Sequence, residues 1–482
     1  MKRILFLLAA LLSASITALC GELSFSGLIN DGMVLQQSTE VCIWGQASPG
    51  AAVSVSTSWQ ASASGRADAE GHWQVRLRTP AATFSPQTIR ARSGGVTVQV
   101  SNVLIGEVWL CSGQSNMAMS LNGGSTPVEG SLEEIAMSGQ YKGVRMANVA
   151  NLSATEPQWD TRGEWKECNP KNSPRFSAVG YFFASRLSKA MDVPVGIINA
   201  SWGGAVIEAW MSAELLADCP DVDLADASKK EVADMYKPMI MYNAMFKPAS
   251  KYAVAGIIWY QGESNISIAN EDYARRLTGM AGLWRKDIGR GDIPFLIVEL
   301  PPYDYYDGQY GLQDGHGPFL REQQYIASRQ IPNCGIVGTN DLAYDYERTQ
   351  VHPSQKRQVG ERLCYMAMNI AYGFDTVQAF NPCFKSAEVK DGKVYVYFDN
   401  ARTGFLGLDE AVRGFEIAGG SGIFHPASAE VHMSFREGTY VVLSTPAVPE
   451  PKAVQYCFKD FEVGNVKGTN GLPLIPFRAS VE

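Results

Sequence analysis

The hydrophobic pattern divides the chain into three regions. In the first, from Leu23 to about Asn102, short runs alternate apolar and polar residues and are separated by turns such as Ser48-Pro49-Gly50. Alternation with a period of two predicts strands that bury one face. We therefore predict an all-β domain over residues 21–102. Its clearest strands are at 41–44, 53–55 and 73–77.

The middle region, residues 103–376, has a different pattern. Continuous apolar runs alternate with helix-length segments whose apolar residues recur at helical spacing. Runs of this kind indicate strands that are buried on both faces, so the alternation predicts an α/β fold with a parallel sheet sandwiched by helices. The predicted strands are 103–110, 193–199, 254–259, 294–300 and 335–337, and the predicted helices are 176–191, 272–284, 319–329 and 354–369.

The β pattern returns over residues 377–482, as at 394–398, 414–417 and 439–443. This C-terminal region is predicted to be β-rich, either as a separate module or as strands that complete the N-terminal domain. We therefore expect β-sandwich-like regions to flank the α/β region at both ends.

The N-terminus has the layout of a signal peptide. Lys2 and Arg3 precede an apolar run over 4–12, which small residues follow up to Cys20. That layout predicts a cleaved segment at 1–20 and a secreted or periplasmic protein. No run in the chain is long and apolar enough to predict a membrane span. Lipid anchoring through Cys20 is the alternative, which Leu19 disfavours because a smaller residue is expected before an acylated cysteine.

Charge and cysteine spacing narrow the function classes. The formal net charge of -8 would repel nucleic acid phosphates and anionic lipids. The cysteines show no C-x-x-C pairing, so the sequence indicates no zinc site, and we expect no metal or cofactor. Cys383 and Cys457 are candidates for a disulfide in an oxidising compartment.

Candidate chemistry follows three of the predicted strands. In open α/β sheets, ligands bind beyond the carboxyl ends of the strands. A serine hydrolase needs a hydroxyl on a tight turn, an imidazole to take its proton, and donors for the oxyanion. Ser115 follows Gly113 after the first strand, Gly203 and Gly204 expose backbone N–H groups after the second, and Gln261 offers an amide after the third.

Each of these features also has an ordinary structural interpretation. Serine is common in turns, and the Gly203-Gly204 pair is compatible with a simple strand-to-helix turn. Trp202 fits a core position as well as a substrate platform. Glu263 is either a catalytic carboxylate or, as we expect, a partner of the Ser115 loop.

The histidines select the general base. The chain has five, and His316 and His352 are the two in the α/β region. His352 follows the last predicted strand and precedes a helix, whereas His316 lies in a glycine-rich loop. His352 is therefore the predicted base. The other three histidines, His72, His425 and His432, lie in the β regions.

These residues make the sequence resemble a known family. The run GEVWLCSGQSNM at 106–117 is similar to the nucleophile block of the sialate O-acetylesterases, which are carbohydrate acetylesterases of the SGNH hydrolase superfamily. Further similar blocks follow in order, at 202–210, 258–265 and 352–360, and the flanks resemble the family at 33–36, 44–45 and 471–478. The likeness covers nearly the whole chain after the predicted signal peptide.

The resemblance implies an SGNH-type, flavodoxin-like fold and a serine esterase. Ser115 would attack the acetyl carbonyl with His352 as base, and the oxyanion would be held by the Ser115 and Gly203 N–H groups and the Gln261 side chain. Asn116, Gly204 and Glu263 would support the site. The implied substrate is an acetylated carbohydrate, first of all a sialic acid ester. The alternatives are an acetylxylan-type polysaccharide esterase and a glycan-binding protein with a weakly active fold.

One position departs from the family pattern. An aspartate commonly stands two residues before the histidine, and this chain has Gln350 there. A carboxylate normally orients the imidazole. Gln350 itself, a backbone carbonyl, Asp341 or Asp345 are the possible substitutes, and we expect a Ser-His dyad with an uncharged acceptor. The substitution is also compatible with a slow enzyme, or with a protein that binds sugar without turning it over. A sialate substrate would favour an arginine near Ser115 for its carboxylate, and Arg321 is one candidate.

Overall fold

The computed structural model describes residues 23–481 except 125, 268–271, 306–315, 402, 408–409 and 435–437. The predicted signal peptide and Cys20 lie outside the described residues. Among the helices that are described, none combines the length and apolar character that a membrane crossing requires.

A long strand joins the N-terminal sheets to the central sheet. This strand, β8, runs without interruption from residue 96 to residue 113, across the boundary at 102/103 that the pattern suggests. Strands β2 (Val34–Gln36) and β7 (Thr83–Ser93) pair with the first part of β8, and β11 (Val195–Ser201) and β12 (Gly256–Tyr260) pair with its last part. The first eight strands are β1 (Ser24–Phe25), β2 (Val34–Gln36), β3 (Glu40–Gln46), β4 (Ala52–Thr57), β5 (Ser62–Arg66), β6 (His72–Arg78), β7 (Thr83–Ser93) and β8 (Val96–Gly113), followed in the central region by β9 (Val144–Val149), β10 (Gly163–Glu167), β11 (Val195–Ser201), β12 (Gly256–Tyr260), β13 (Phe295–Val298) and β14 (Cys334–Val337).

The central sheet is mixed, and its strand order is β10-β9-β11-β8-β12-β13-β14. All neighbours along this path are parallel except β10 and β9, which are antiparallel. The hydrophobic pattern does not predict β9 and β10, because Arg145 interrupts the apolar run of β9. Arg145 is nevertheless buried, where it forms an ion pair with Glu167 of β10.

Helices cover both faces of this sheet. Val108 and Leu110 of β8 contribute to the core beneath α6 (Tyr273–Ile288) and α7 (His316–Gln330). The intervening Trp109 and Cys111 contribute to the core beneath α3 (Ala178–Met191) and α8 (Lys356–Ile370). This alternation follows from the two-residue repeat of a strand and explains why the run is continuously apolar. The α-helices are α1 (Ser115–Ala118), α2 (Ser131–Met137), α3 (Ala178–Met191), α4 (Ala213–Leu216), α5 (Lys247–Ala249), α6 (Tyr273–Ile288), α7 (His316–Gln330) and α8 (Lys356–Ile370).

Local signals set the ends of the long helices. The Ser177 hydroxyl caps α3 by accepting the Gly180 N–H at 3.1 Å, which satisfies one of the free donors of the first turn. Gly289 ends α6 in the left-handed conformation, with φ at 70°. This conformation at the end of a helix favours glycine, because glycine has no Cβ that would clash with the backbone.

The N-terminal sheets share one core with the central sheet. Trp44 of β3 contacts Tyr252 edge to face, and Trp73 of β6 belongs to the same buried cluster as Trp259 of β12. Tyr252 also donates a hydrogen bond to the Val34 carbonyl of β2 at 2.6 Å. The N-terminal region is therefore packed against the α/β region rather than tethered to it.

The C-terminal region has two four-stranded sheets. Both sheets contribute to one core, which contains Val396, Val441, Ile417 and Val454. Cys383 and Cys457, the candidates for a disulfide, are free and buried thiols in this structure. The strands are β15 (Cys383–Lys390), β16 (Lys393–Asp399), β17 (Phe415–Ala418), β18 (Phe424–Pro426), β19 (Ser428–Ser434), β20 (Gly438–Ser444), β21 (Ala453–Tyr456) and β22 (Phe477–Ser480). The sheets are ordered β15-β16-β20-β19 and β18-β17-β21-β22.

Candidate active site

Three neighbouring strands end side by side at the candidate site. Gly113, the last residue of β8, pairs with Ser201 of β11 on one side and with Tyr260 of β12 on the other. The chain stays in contact beyond the strands, since the Trp202 N–H donates to the Gly113 carbonyl at 3.1 Å. The loops that carry the predicted serine, glycines and glutamine therefore start from one edge of the sheet.

Ser115 lies at the start of α1, two residues after Gly113, where the backbone requires a glycine. Gly113 has φ at 133°, and a Cβ there would lie 2.0 Å from the Tyr260 carbonyl oxygen. This close approach explains why a glycine precedes the serine. Ser115 is half-buried, and its hydroxyl has no hydrogen-bond partner among the described residues. The N–H groups of Ser115 and Asn116 belong to a first helical turn, where intrahelical acceptors are missing.

Gly203 faces Ser115. A Cβ on Gly203 would lie 3.7 Å from the Ser115 Cβ, and the Gly203 N–H has no protein acceptor in the described part of the chain. Gly204 follows with φ at 78°, a conformation that favours glycine. The adjacent Trp202 is half-buried and packs against the core. The Gly203 N–H donor therefore lies beside Ser115, at the edge of the sheet where β8, β11 and β12 end.

Gln261 lies at the same edge of the sheet, directly after β12, but its side-chain amide is hydrogen-bonded to other protein groups. The buried NH₂ group donates to the Ala205 carbonyl at 3.0 Å, to Asn265 Oδ1 at 2.7 Å and to Gln114 Oε1 at 3.1 Å. Its Oε1 accepts from the Tyr273 hydroxyl at 2.7 Å. In this arrangement the side chain holds the loops together and has no N–H left for an oxyanion.

Two further amides complete this buried network, and the sequence pattern does not assign them a role. Gln114 Oε1 accepts the N–H groups of Gly262 at 3.3 Å and Ser264 at 3.2 Å. Asn265 accepts the Ile207 N–H at 2.9 Å and donates to Glu208, which Arg276 neutralises. Both amides lie within the recognised motif blocks, but spacing along the chain does not reveal where a side chain points.

Asn116 connects the serine loop to the histidine loop. Its Nδ2 donates to the Val351 carbonyl at 3.0 Å and to the buried Glu263 carboxylate. Its Oδ1 accepts from Lys356, whose buried ammonium lies 5.5 Å from the Tyr260 ring centroid. Asn116 follows Ser115 and Val351 precedes His352, so one amide holds the two predicted catalytic residues in neighbouring loops.

Burial shapes the titration of this cluster. Burial raises the pKa of the Glu263 carboxyl, and it lowers the pKa of Lys356 to about 7. Burial, with the Lys356 charge as a smaller cause, lowers the pKa of His352 to about 4. The imidazole is therefore neutral at neutral pH, as a general base must be. Its Nε2 is buried without a protein partner in the described chain.

No carboxylate of the described residues hydrogen-bonds the imidazole. Gln350 Oε1 instead accepts the His352 backbone N–H at 3.2 Å. Asp341 is engaged elsewhere, in a bidentate pair with Arg362 at 2.7 Å, and Asp345 is exposed. Gln350 thus fixes the backbone of the histidine loop rather than the imidazole ring.

Arg321 and His316 face the C-terminal region. The Arg321 guanidinium is buried and donates to the Lys459 and Asp460 carbonyls. His316 begins α7, and the next N–H, that of Gly317, donates to Asp460 at 2.7 Å. The structure therefore does not bring these two residues to the serine.

One group of side chains within the described chain has the spacing of metal ligands. Asp68, Glu70 and His72 of the N-terminal sheets bring their ligand atoms within 4.8 Å of one another. Asp68 Oδ1 already accepts the backbone N–H groups of the other two residues, so the group closes a turn. It does not lie in the loops that carry Ser115.

Comparison with known proteins decides the family. The sequence-family model for carbohydrate esterases of the sialic acid-specific acetylesterase type matches residues 105–369, more than half of the chain. The chain belongs to the sialate O-acetylesterase family.

Relatives and a solved structure agree with this assignment. The human sialate O-acetylesterase is 30% identical over 382 residues, which cover 72% of this chain and 71% of the human protein. The mouse sialate O-acetylesterase is 26% identical over 419 residues, 76% of each chain. The crystal structure of a carbohydrate acetylesterase from Xanthomonas citri is similar with a TM-score of 0.82 and 34% identity, covering 95% of this chain and 99% of that one. This member of the sialate O-acetylesterase family is therefore an esterase, as the sequence predicts.

The buried lysine of the site gives a testable pH dependence of stability. The pKa of Lys356 is about 7 in the folded chain, against an ordinary value of 10.5. Between these values the unfolded chain holds more protons, so the Lys356 contribution to stability is lost as pH falls from 10 to 7. We expect Lys356→Met to remove up to about 3 kcal/mol of the wild-type gain between pH 7 and pH 10.

Urea unfolding at both pH values measures this difference. Lys189→Met, which replaces an exposed lysine of α3, is the control and should leave the pH dependence unchanged. Equal pH dependence in wild type and Lys356→Met would show that Lys356 is not held in a low-pKa environment.

Proposed function

We propose that this esterase removes acetyl groups from carbohydrates through a Ser115–His352 acyl-enzyme mechanism. The observation that carries the proposal is the Asn116–Val351 hydrogen bond, which joins the serine and histidine loops, together with Gly203 facing Ser115. Nucleophile, base and oxyanion donor are the three elements that acyl transfer requires.

In the first step, Ser115 Oγ attacks the acetyl carbonyl carbon while His352 Nε2 takes the hydroxyl proton. The carbonyl oxygen becomes an oxyanion, for which the Ser115 and Gly203 N–H groups are the proposed donors. Collapse breaks the bond to the sugar oxygen, which receives the proton from the imidazolium. Water then attacks the acetyl-enzyme with the same base, which releases acetate and restores Ser115. The unpartnered Nε2, and the neutral state of the His352 imidazole at neutral pH that follows from its lowered pKa, support this role.

We propose that the imidazole works without a carboxylate partner. Gln350 holds the backbone of His352, and Asn116, with Glu263 behind it, holds the preceding carbonyl. The oxyanion role expected of Gln261 would require its amide to leave the Ala205 carbonyl or another present partner. We therefore assign Gln261 to loop positioning and Gly204 to the turn that exposes the Gly203 N–H.

The finer fold and location belong to the same proposal. Counted in chain order, the six parallel strands β9-β11-β8-β12-β13-β14 read 2-3-1-4-5-6, so the strand order reverses at β8, and this switch point supports an SGNH-type, flavodoxin-like arrangement. The basic and apolar residues of 1–20 support export to the periplasm or the exterior.

Two substrate classes remain candidates. The relationship to the human sialate O-acetylesterase supports a sialic acid ester. The position of Arg321 favours a neutral acetylated polysaccharide instead. Its guanidinium is buried against carbonyls and does not face the site, so it is not placed to bind the carboxylate of a sialic acid. In either case the half-buried Trp202, next to Gly203, is the side chain we place against the acetylated sugar.

Acetate release from a panel of acetylated substrates tests this proposal. We expect the wild-type protein to release acetate from O-acetylated sialosides or acetylated xylo-oligosaccharides, and to be labelled by a fluorophosphonate because the serine is activated. Absence of both acetate and label would contradict the enzyme mechanism and favour the glycan-binding alternative.

A further inference from the structure

We propose that Tyr344 and Tyr346 form a platform that binds a neutral pyranose ring of the glycan, an inference that rests on the proposed esterase function. The two rings, called here the tyrosine platform, stack on each other with centroids 5.2 Å apart and an interplanar angle of 13°. They lie in the loop between β14 and His352.

The platform exposes aromatic surface that no described part of the protein covers. Tyr346 is 79% exposed and Tyr344 is 38% exposed. Tyrosine offers a flat apolar face with a polar edge, and the C–H face of a pyranose packs on such a ring while its hydroxyls stay in water. A stacked, outward-facing pair therefore suits a sugar ring better than a purely apolar ligand.

Hydrogen bonds fix the platform relative to the catalytic histidine. One carboxylate, that of buried Glu347, accepts the Tyr344 N–H and the Ser354 N–H, each at 2.9 Å, and Ser354 is two residues past His352. The Tyr344 hydroxyl donates to Glu129 Oε2 at 2.9 Å, and the Glu129 N–H donates to the Ser354 carbonyl at 3.0 Å. The platform thus lies on the rim where the loops after β8 and β14 meet.

The charges around the platform select a neutral ligand. Glu129 and Asp345 are exposed carboxylates beside the two rings. The nearby Arg348 is engaged, since its Nε binds Asp304 at 2.6 Å and its guanidinium lies over the Phe461 ring. Such a surface would repel the carboxylate of a sialic acid. The geometry therefore points to an uncharged sugar, such as a unit of a xylan-type chain.

Kinetics on a large and a small substrate test the platform. For Tyr346→Ala we expect KM for acetylated xylo-oligosaccharides to rise about tenfold, the loss of one ring contact, while kcat/KM for p-nitrophenyl acetate stays unchanged. Tyr346→Phe, which keeps the ring, should retain the wild-type KM. Tyr365→Ala, which removes an exposed tyrosine of α8, is the matched control and should change neither value.

Three outcomes would overturn the platform. If Tyr346→Ala lowered kcat/KM equally on both substrates, Tyr346 would only support the histidine loop. If the variant changed kcat/KM on neither substrate, no sugar would bind to the platform. A wild type that prefers O-acetylated sialosides to the neutral oligosaccharides would contradict the ligand class. Failure of the esterase proposal is distinguishable, because the wild type would then release no acetate from any substrate.

Discussion

Ser115→Ala is expected to lower the rate of acetate release at least about 10⁴-fold, because the group that forms the acetyl-enzyme is gone. Residual rate would come from the remaining N–H donors and from substrate binding. The fold should persist, since the Ser115 hydroxyl makes no hydrogen bond within the described chain and its removal leaves no buried polar group unpaired. Acetate release and the urea midpoint measure the two effects separately.

Ser131→Ala is a suitable control for this variant. It removes a half-buried hydroxyl from α2, sixteen residues past Ser115 and outside the predicted site residues. It should keep both turnover and fluorophosphonate labelling. If Ser115→Ala retained more than a small fraction of the wild-type rate, another residue would be the nucleophile.

His352→Ala is expected to lower kcat by about 10³-fold or more, since no described neighbour could replace the imidazole as base. Asp341 is paired with Arg362, and Glu263 is bound to Asn116. Measurements of kcat for wild type and variant at neutral pH test this. His316→Ala is the matched control and should retain turnover, because the start of α7 faces Asp460. A large loss in His316→Ala with a small one in His352→Ala would reverse the assignment.

The pH profile gives a second readout of the same histidine. The base must be neutral, and the pKa of His352 is lowered to about 4 by burial and by Lys356. The wild-type rate should therefore stay constant as pH falls through the ordinary histidine value of 6.5, and should decline only as pH approaches 4. An acid limb near pH 6.5 would indicate a base in an ordinary, solvated environment.

The sequence predicts those features of the fold and site that depend on backbone and burial. The continuous apolar run before Gly113 predicts the central strand, because a strand covered on both faces must be apolar at every position. The glycines at 113 and 204 have a physical cause in a close approach and in positive φ angles. Such requirements leave a visible mark on residue type.

Features that depend on distant partners could not be read in this way. Arg145 is compatible with a buried strand only because Glu167 of the next strand neutralises it. Gln350 and Arg321 have the chemistry for a site, yet Gln350 binds the backbone two residues on and Arg321 binds carbonyls of the C-terminal region. The residue type shows which groups a side chain is able to bind, but its actual partner depends on which residues the fold places next to it.

The domain boundary illustrates the same limit. A change from alternating to continuous apolar residues suggests an end near residue 102, but β8 continues through it to residue 113. One strand has one face covered at its start and both faces covered at its end. The change of pattern therefore coincides with a change in the surroundings of one strand, and the domain boundary at 102/103 stays a prediction.

A crystal structure of the protein after reaction with a small fluorophosphonate would test the central claim most directly. Our account predicts phosphorus bonded to Ser115 Oγ, the phosphoryl oxygen within about 3 Å of the Ser115 and Gly203 nitrogens, and the His352 imidazole at hydrogen-bond distance from the adduct. An adduct on another residue, or an imidazole turned away from the adduct with Gly203 remote from the phosphoryl oxygen, would contradict it.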